Sequence, residues 1–115
     1  MTLGEKQRLF TKLIGRLIDY AYMSGLELTF GDAYRDPRLA ALNAAQGKGI
    51  TNSLHTQRLA VDFNLFKDGQ YLPKSEDYRI LGEYWESLDP LCCWGGRFVP
   101  LNDGNHFSIT DGGIK

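Results

Sequence analysis

Residues 53–66 read Ser-Leu-His-Thr-Gln-Arg-Leu-Ala-Val-Asp-Phe-Asn-Leu-Phe, and the second half of this stretch organises the fold. From Leu59 to Phe66 the residues alternate in character, which predicts a β-strand. One face carries Val61, Phe63 and Leu65, and the other carries Ala60, Asp62 and Asn64. Because His55 precedes the strand and Asp62 lies inside it, the same stretch also supplies two groups that can bind a metal ion.

Further strands are predicted on both sides of this one. Leu26–Phe30 alternates and indicates a short strand, and His106–Ile109 indicates a last one. The Asp68-Gly69 pair favours a tight hairpin after the central strand. Residues 94–98 are expected to form a loop or a strand edge.

A long amphipathic helix is predicted at the start of the chain. Thr2 and Glu5 fit a capping box. Behind it, apolar residues recur at helical spacing: Phe10, Leu13, Ile14, Leu17, Ile18 and Ala21. We therefore expect a helix from Leu3 to Met23, ended near Gly25.

Two shorter helices complete the pattern. Pro37 suits the first turn of a helix that continues to Ala45 and is broken by the Gln-Gly-Lys-Gly stretch at 46–49. A third helix begins at residues 75–77 and ends at Asp89-Pro90. Helices interleaved with antiparallel strands indicate an α+β fold, with a small antiparallel sheet flanked by helices.

The composition limits the class of protein. With 115 residues we expect a single domain, residues 1–115, with a modest core. A net charge of −1 and scattered basic residues give no electrostatic case for binding nucleic acid. No apolar run approaches the ~18 residues of a transmembrane helix, so we expect no stable membrane insertion, and we expect a monomer.

The first residues of the chain do not fit a signal peptide. Charged residues interrupt every apolar stretch there: Glu5, Lys6, Lys12, Arg16 and Asp19. A signal peptide needs an uninterrupted apolar segment. We therefore expect synthesis in the cytosol, and work outside it would need another exit route.

The two cysteines, Cys92 and Cys93, are adjacent. A disulfide between neighbours is strained, so they do not indicate a disulfide framework. A thiolate zinc site normally has spaced pairs of cysteines, so two small, partly buried residues are the favoured interpretation over a zinc ligand.

Histidine is scarce, and the only two are His55 and His106. Together with Asp62 they offer two imidazoles and one carboxylate, a set that binds zinc and leaves a fourth position for water. Asp103, three residues before His106, is a candidate general base that takes the proton of the attacking water and passes it to the leaving amine. The sequence thus predicts a hydrolytic Zn²⁺ site.

A zinc site made from these residues requires the backbone to turn at two places. On one continuous strand His55 and Asp62 would face opposite ways, so residues 56–58 must turn the chain. His106 must come from a strand packed beside the first. Residues 103–106 pose the same problem, and we expect the Gly-Asn pair inside them to turn through left-handed conformations. On spacing alone, a metal-free structural or interaction protein with incidental histidines stays open as an alternative.

The motif around the first histidine resembles that of the zinc D-Ala-D-Ala carboxypeptidases and L-alanyl-D-glutamate endopeptidases, the VanY-like family that includes phage endolysins. The family motif reads S-x-H-x-x-G-x-A-x-D, and Ser53, His55, Ala60 and Asp62 match it. Arg58 stands where the family has glycine. This departure concerns the backbone of the loop and removes no ligand.

The second half of the resemblance lies near the end of the chain. Asp103-x-x-His106 resembles the family's acidic residue three before its last histidine, with Asn105 replacing a common aromatic. Trp94-Gly95-Gly96 resembles a W-G-G segment of phage members, and Arg97 follows where an acidic residue is common. The resemblance covers residues 27 to 110.

The resemblance implies a role for each matching residue. It makes His55, Asp62 and His106 the zinc ligands and Asp103 the catalytic base. Arg35 would contact the substrate and stabilise the oxyanion, with a surface salt bridge to Asp32 or Asp36 as the alternative. Two more substrate contacts are implied: Ser53 and Trp94. Their alternatives are a turn-capping hydroxyl and a core aromatic.

The implied function is hydrolysis of a peptide bond in the peptidoglycan stem peptide, with L-Ala-D-Glu endopeptidase activity favoured over D,D-carboxypeptidase activity. The fold implied is that of the Hedgehog and D-Ala-D-Ala peptidases. A phage or prophage endolysin, made in the host cytoplasm and released to the wall by a holin, fits this resemblance. The alternative is a non-catalytic, zinc-stabilised wall-binding or structural module.

Overall fold

The fold is described from a computed structural model, which covers residues 1–46 and 53–115. Its helices are α1 (Leu3–Met23), α2 (Pro37–Ala45) and α3 (Arg79–Leu88). Its strands are β1 (Glu27–Phe30), β2 (Ala60–Lys67), β3 (Gln70–Leu72), β4 (Cys92–Trp94) and β5 (His106–Ile109). Among these described residues, none of the helices has the length and apolar character needed to cross a membrane.

The first helix forms as its sequence predicts. The Thr2 hydroxyl accepts a hydrogen bond from the Glu5 amide at 3.1 Å, and the Thr2 amide donates to the Glu5 carboxylate at 2.9 Å. This reciprocal pair satisfies amides that have no partner inside the helix. At the other end, Gly25 has a φ of 79°, a left-handed conformation that glycine adopts at little cost.

The five described strands form one antiparallel sheet in the order β1-β2-β5-β4, with β3 paired to β2. The hairpin between β2 and β3 turns through Asp68 and Gly69, whose φ values are 52° and 76°. This two-residue turn matches the one expected from the Asp-Gly pair. The predicted α+β fold, a small antiparallel sheet flanked by helices, is confirmed.

The core lies between the sheet and the helices α1 and α3. Phe10 of α1, Trp85 of α3 and Phe107 of β5 meet edge to face, with ring centroids 5.8 and 6.2 Å apart. Buried aromatic pairs in this geometry add to the stabilisation from burial alone. The face of β5 that carries Phe107 is therefore packed against α1 and α3.

The structure also differs from the sequence-based expectations. Trp94, the first residue of the segment expected as a loop or strand edge, ends β4, a strand at the edge of the sheet that pairs with β5 and whose first two residues, Cys92 and Cys93, were not predicted to be a strand. The third predicted helix begins with a 3-10 helix, Ser75–Tyr78, before α3. The glycine break predicted at 47–49 lies outside the described residues.

Candidate metal and catalytic site

Three predicted ligands, His55, Asp62 and His106, lie together. One ligand atom from each can be chosen so that all three atoms are within 4.8 Å of one another. Asp62 on β2 pairs directly with His106 on β5 in the antiparallel ladder. Side chains of directly opposed residues point to the same face of a sheet. The pairing therefore accounts for two of the three groups, and only His55 needs a turn.

Residues 53–62, here called the His55 segment, make that turn. His55 belongs to a 3-10 helix, Leu54–Gln57, and its amide donates to the hydroxyl of the N-cap residue Ser53 at 3.2 Å. Arg58 then adopts a left-handed conformation with φ 59° and ψ 36°. The chain enters β2 two residues later, so the expectation that residues 56–58 must turn is confirmed.

The loop at residues 31–35 holds the His55 segment through backbone groups. The Asp62 amide donates to the Asp32 carbonyl at 2.7 Å, and the Gly31 amide donates to the Asp62 carbonyl at 2.8 Å. The Arg35 amide donates to the His55 carbonyl at 3.1 Å. Because these bonds use only main-chain atoms, no side-chain motif in the sequence indicates them.

The same loop determines which ring nitrogen of His55 carries the proton. The His55 Nδ1 atom lies 3.1 Å from the Ala33 carbonyl oxygen. A carbonyl can only accept, so Nδ1 carries the proton and Nε2 keeps a free lone pair. A second hydrogen bond of this kind is the usual companion of a metal-binding histidine.

The distances between these atoms suit zinc. Asp62 Oδ1 lies 3.4 Å from His55 Nε2 and 3.3 Å from His106 Nδ1. Ligand atoms at tetrahedral angles and normal bond lengths around one zinc ion lie about 3.3–3.6 Å apart. Asp62 Oδ1 is also buried and has no hydrogen-bond partner among the described residues. A buried carboxylate oxygen without a donor is costly unless a cation occupies its open side, so the residues fit a zinc ion.

The electrostatics of the cluster favour a charged carboxylate. Burial alone would raise the pKa of Asp62, but the two imidazoles beside it lower the pKa to about 2. Burial opposes protonation of His55, and the contact with Asp62 outweighs this and raises the pKa of His55. The cluster therefore holds an anionic oxygen between two nitrogens, as a cation site requires.

Asp103 stands on the wall of the same cleft, which has a volume of about 420 Å³. Asp103 is exposed as a residue, but partial burial of its carboxyl raises the pKa, and the nearby Asp62 carboxylate adds to this. Residues 95–105, here called the Asp103 loop, turn sharply before β5, and the His106 amide at the start of that strand donates to the Asp103 carbonyl at 3.0 Å. The raised pKa moves Asp103 toward the range of a general base.

One expectation about this loop is wrong. Neither Gly104 nor Asn105 has a positive φ, so the turn does not use left-handed residues. Gly104 is needed for space instead, since an added Cβ would lie 2.5 Å from the Ser75 Cα atom. The turn at 104–105 was predicted correctly, but glycine is required there for close packing against Ser75.

Arg35 and Ser53 both line the cleft. The Arg35 guanidinium donates to the Asp32 carboxylate at 2.8 Å, which is the salt bridge weighed as the alternative to a substrate contact. The two roles coexist, because the ion pair fixes a guanidinium that still borders the cleft. Ser53 likewise caps a turn and reaches the cleft.

Trp94 does not lie where a cleft-lining residue was expected. Its side chain is only 2% exposed, and it is absent from the described lining of the cleft. The indole packs against Gly82 and Gly96 and donates to the Gly104 carbonyl at 2.7 Å. The structure gives Trp94 the role of a core aromatic, because its only polar atom is used inside the protein.

The cysteines lie apart from the metal cluster. Both are free thiols, and Cys92 is buried. Burial raises the pKa of the Cys92 thiol to about 12, so it stays protonated at neutral pH. The interpretation as two small, partly buried residues agrees with this environment.

Several cleft residues had no sequence signal. Phe98, Leu101, Ile114 and Lys115 line the cleft beside the predicted residues. They come from the Asp103 loop and from the tail after β5, which carries an isolated bridge between Asp111 and Ile114. Loop and tail conformations of this kind leave no periodic pattern in a sequence.

The family follows from a comparison with known protein families. A family model described as D-alanyl-D-alanine carboxypeptidase, of the M15 peptidases, matches residues 46–109. The chain belongs to this peptidase family. The predicted resemblance is therefore confirmed, and so is the prediction of a metallopeptidase. No curated protein matches the chain.

Two solved structures resemble this M15 peptidase in fold. The L-Ala D-Glu endopeptidase ChiX of Serratia marcescens has a TM-score of 0.69 at 19% identity, covering 93% of this chain and 85% of ChiX. A mutant of the vancomycin resistance D,D-pentapeptidase VanY, from a VanB-type resistance cassette, was solved in complex with Zn(II). It has a TM-score of 0.56 at 20% identity, covering 89% of this chain and 71% of VanY.

Proposed function

We propose that this M15 peptidase is a zinc enzyme that hydrolyses a peptide bond in the peptidoglycan stem peptide, with L-Ala-D-Glu endopeptidase activity. One observation carries the proposal. Asp62 Oδ1 is buried without a hydrogen-bond donor, between His55 Nε2 and His106 Nδ1 at the edge length of a zinc tetrahedron. VanY, which shares the fold, was solved with Zn(II).

We propose His55, Asp62 and His106 as the zinc ligands. A zinc ion held by them would polarise the scissile carbonyl and raise the reactivity of water at neutral pH. The three groups supply two neutral imidazoles and one carboxylate, which leaves a net positive charge facing the cleft. The Ala33 carbonyl would keep the His55 ring in the required tautomer.

Asp103 and Arg35 would divide the remaining chemistry. Asp103 would accept a proton from the attacking water and return it to the leaving amine, a role that its raised pKa favours. Arg35 would donate to the carbonyl oxygen as negative charge develops there, while Asp32 keeps the guanidinium in place. Ser53 would contact the bound peptide from the same wall of the cleft.

The proposed substrate and biological role are supported by the similarity to known proteins. ChiX, an L-Ala D-Glu endopeptidase, shares the fold over most of both chains, while the family description names D-alanyl-D-alanine carboxypeptidase. We favour the endopeptidase. The W-G-G segment at 94–96 supports a phage or prophage endolysin. We propose that it is made in the host cytoplasm, is released to the wall by a holin and acts as a monomer.

Mass spectrometry of digested muropeptides tests this function. Purified protein with measured zinc content is incubated with peptidoglycan, and the new amino and carboxyl termini identify the cleaved bond. Release of an L-Ala carboxyl and a D-Glu amine supports the endopeptidase, and release of free D-Ala makes the chain a D,D-carboxypeptidase. A zinc-loaded protein that cleaves neither bond would be a non-catalytic wall-binding module, and a metal-free inactive protein would refute the zinc proposal.

A further inference from the structure

Ser75 lies outside the predicted site, at the start of the 3-10 helix Ser75–Tyr78. Its hydroxyl accepts a hydrogen bond from the Gly104 amide at 2.8 Å. The same hydroxyl donates to the Asn102 carbonyl at 3.4 Å, a longer and weaker bond. Asn102 and Gly104 are the two neighbours of Asp103, so one side chain bonds to the backbone on both sides of the candidate base.

The peptide groups around Gly104 have little freedom. The Trp94 indole donates to the Gly104 carbonyl at 2.7 Å, so both polar groups of this residue are satisfied by side chains. Gly104 is buried, and an added Cβ would lie 2.5 Å from the Ser75 Cα. The backbone after Asp103 is therefore pressed against Ser75 as well as bonded to it.

The backbone before Asp103 is held by a different element. The Asp103 amide donates to the Gly95 carbonyl at 2.9 Å, and the Asn102 side chain donates to the Gly96 carbonyl at 3.0 Å. These bonds fix the Asp103 loop to its own beginning. Beside Asp103 itself, the described side-chain bonds to the rest of the protein come from Ser75 and Trp94, whereas Arg97, farther back in the loop, pairs with Glu86 of α3 at 3.0 Å.

We propose that Ser75 is a positioning residue, which sets the direction of the Asp103 carboxylate by holding the Gly104 amide and the Asn102 carbonyl. This inference rests on the proposed role of Asp103 as the base. None of the described hydrogen bonds joins Ser75 to His55, Asp62 or His106, so its direct effect is on the backbone around the base. Loss of a hydrogen-bond partner of a metal ligand commonly costs about 10- to 100-fold in activity, and we expect a loss of the same order when the support of the base is removed.

The test compares Ser75→Ala with Ser75→Thr, which keeps the hydroxyl. The control is Ser87→Ala, which removes a hydroxyl that donates to the Tyr84 carbonyl at 2.6 Å on the exposed end of α3. We expect Ser75→Ala to lower kcat by about 10- to 100-fold with little change in KM or zinc content. Ser75→Thr is expected to restore most of kcat, and Ser87→Ala to leave it unchanged.

A second readout does not depend on activity. Hydrogen exchange of the Gly104 amide, followed by NMR, should accelerate in Ser75→Ala and stay slow in Ser75→Thr. If Ser75→Ala does not fold, Ser75→Cys, with a weaker acceptor, should give intermediate values of both kcat and exchange. Unchanged Gly104 exchange or unchanged kcat in the folded variant overturns the proposal, and so does an equal loss of kcat in Ser75→Thr.

A double-mutant cycle separates positioning from general stability. In the Asp103→Asn background, Ser75→Ala should have no further effect on kcat, because the carboxylate that it orients is already gone. An undiminished effect in that background overturns the proposal. If the wild-type protein cleaves no stem peptide, the proposed function fails by itself, and Gly104 exchange still decides whether Ser75 holds the loop.

Discussion

The two halves of the site are built in different ways. The His55 segment is fixed by main-chain hydrogen bonds to residues 31–35, and the Ala33 carbonyl also fixes the His55 ring. The Asp103 loop also has main-chain bonds, such as that from the Phe63 amide to the Asn105 carbonyl at 3.0 Å, but both polar groups of Gly104 depend on the side chains of Ser75 and Trp94, and its glycines are closely packed. Most side-chain changes leave a main-chain bond in place, so we expect the backbone that holds His55 and Asp62 to tolerate substitution better than the backbone beside Asp103.

Substitution of a zinc ligand should lower activity the most, because both the metal site and the base act through the bound ion. We expect His55→Ala and Asp62→Asn to lose stoichiometric zinc, as measured by metal analysis. Activity should fall by at least about 10³-fold, since neither water nor the carbonyl is then activated. Retention of one zinc per chain with full activity in either variant would show that the ligands lie elsewhere.

Asp103→Ala should remove the base and leave zinc binding intact. The variant is expected to bind zinc like the wild type while kcat falls by about 10²- to 10⁴-fold, the usual contribution of general acid–base catalysis. Zinc titration and steady-state kinetics on the same sample provide the measurement. A variant that lyses cell walls as fast as the wild type would exclude Asp103 as the base.

Gly95→Ala should disturb the Asp103 loop through packing alone. An added Cβ would overlap the Asp103 carbonyl oxygen and lie 2.7 Å from the His106 Cβ atom. We expect a loss of about 1–3 kcal/mol in the free energy of unfolding, together with lower activity. Thermal or urea denaturation gives the first quantity.

Gly15→Ala is the matched control, since a Cβ at this position in α1 meets nothing within 4 Å. It should stabilise the protein by up to about 1 kcal/mol, because alanine favours helix more than glycine does. Equal destabilisation by both substitutions would mean that close packing in the Asp103 loop is not the cause.

Arg58→Gly should have the smallest effect, although it changes the backbone of the His55 segment. Arg58 is left-handed, which costs an ordinary residue about 1–2 kcal/mol relative to its usual conformation. Its guanidinium lies 4.0 Å from the centre of the Tyr34 ring, a contact that contributes about 0.5–1 kcal/mol. Glycine also loses about 0.5–1 kcal/mol more conformational entropy on folding, which together with the lost ring contact nearly offsets the relieved backbone strain, so we expect a change within about 0.5 kcal/mol.

The Tyr34→Ala background removes the ring and should expose the backbone effect. There Arg58→Gly is expected to stabilise the protein by about 1 kcal/mol, measured by denaturation with zinc at a fixed concentration. Destabilisation in that background would mean that Arg58 forms another contact that offsets its left-handed conformation.

The sequence predicted the metal half better than the base half, for a physical reason. The alternation of residue types around Asp62 and the strand-like residues at His106–Ile109 are local signals. Two histidines among 115 residues also leave few choices of ligand. The bounds of α1 follow from the capping box at Thr2 and from Gly25. These features depend on neighbours in the chain, which a sequence displays directly.

The missed features depend on contacts between distant segments. Ser75 meets Gly104 across the fold, and the burial of Trp94 follows from how α3 and β4 pack, so neither has a local signature. Gly104 was assigned a left-handed turn because glycine permits both that conformation and close approach. Only the position of Ser75 decides between the two.

The pairing of Asp62 with His106 has a consequence for how the sheet assembles. A slip of one residue between β2 and β5 would turn one of the two side chains to the opposite face. Only chains with the native alignment of these strands present the complete set of donors, so a bound ion stabilises that alignment against its alternatives. Zinc supply during synthesis would then influence the yield of correctly folded protein as well as its catalysis.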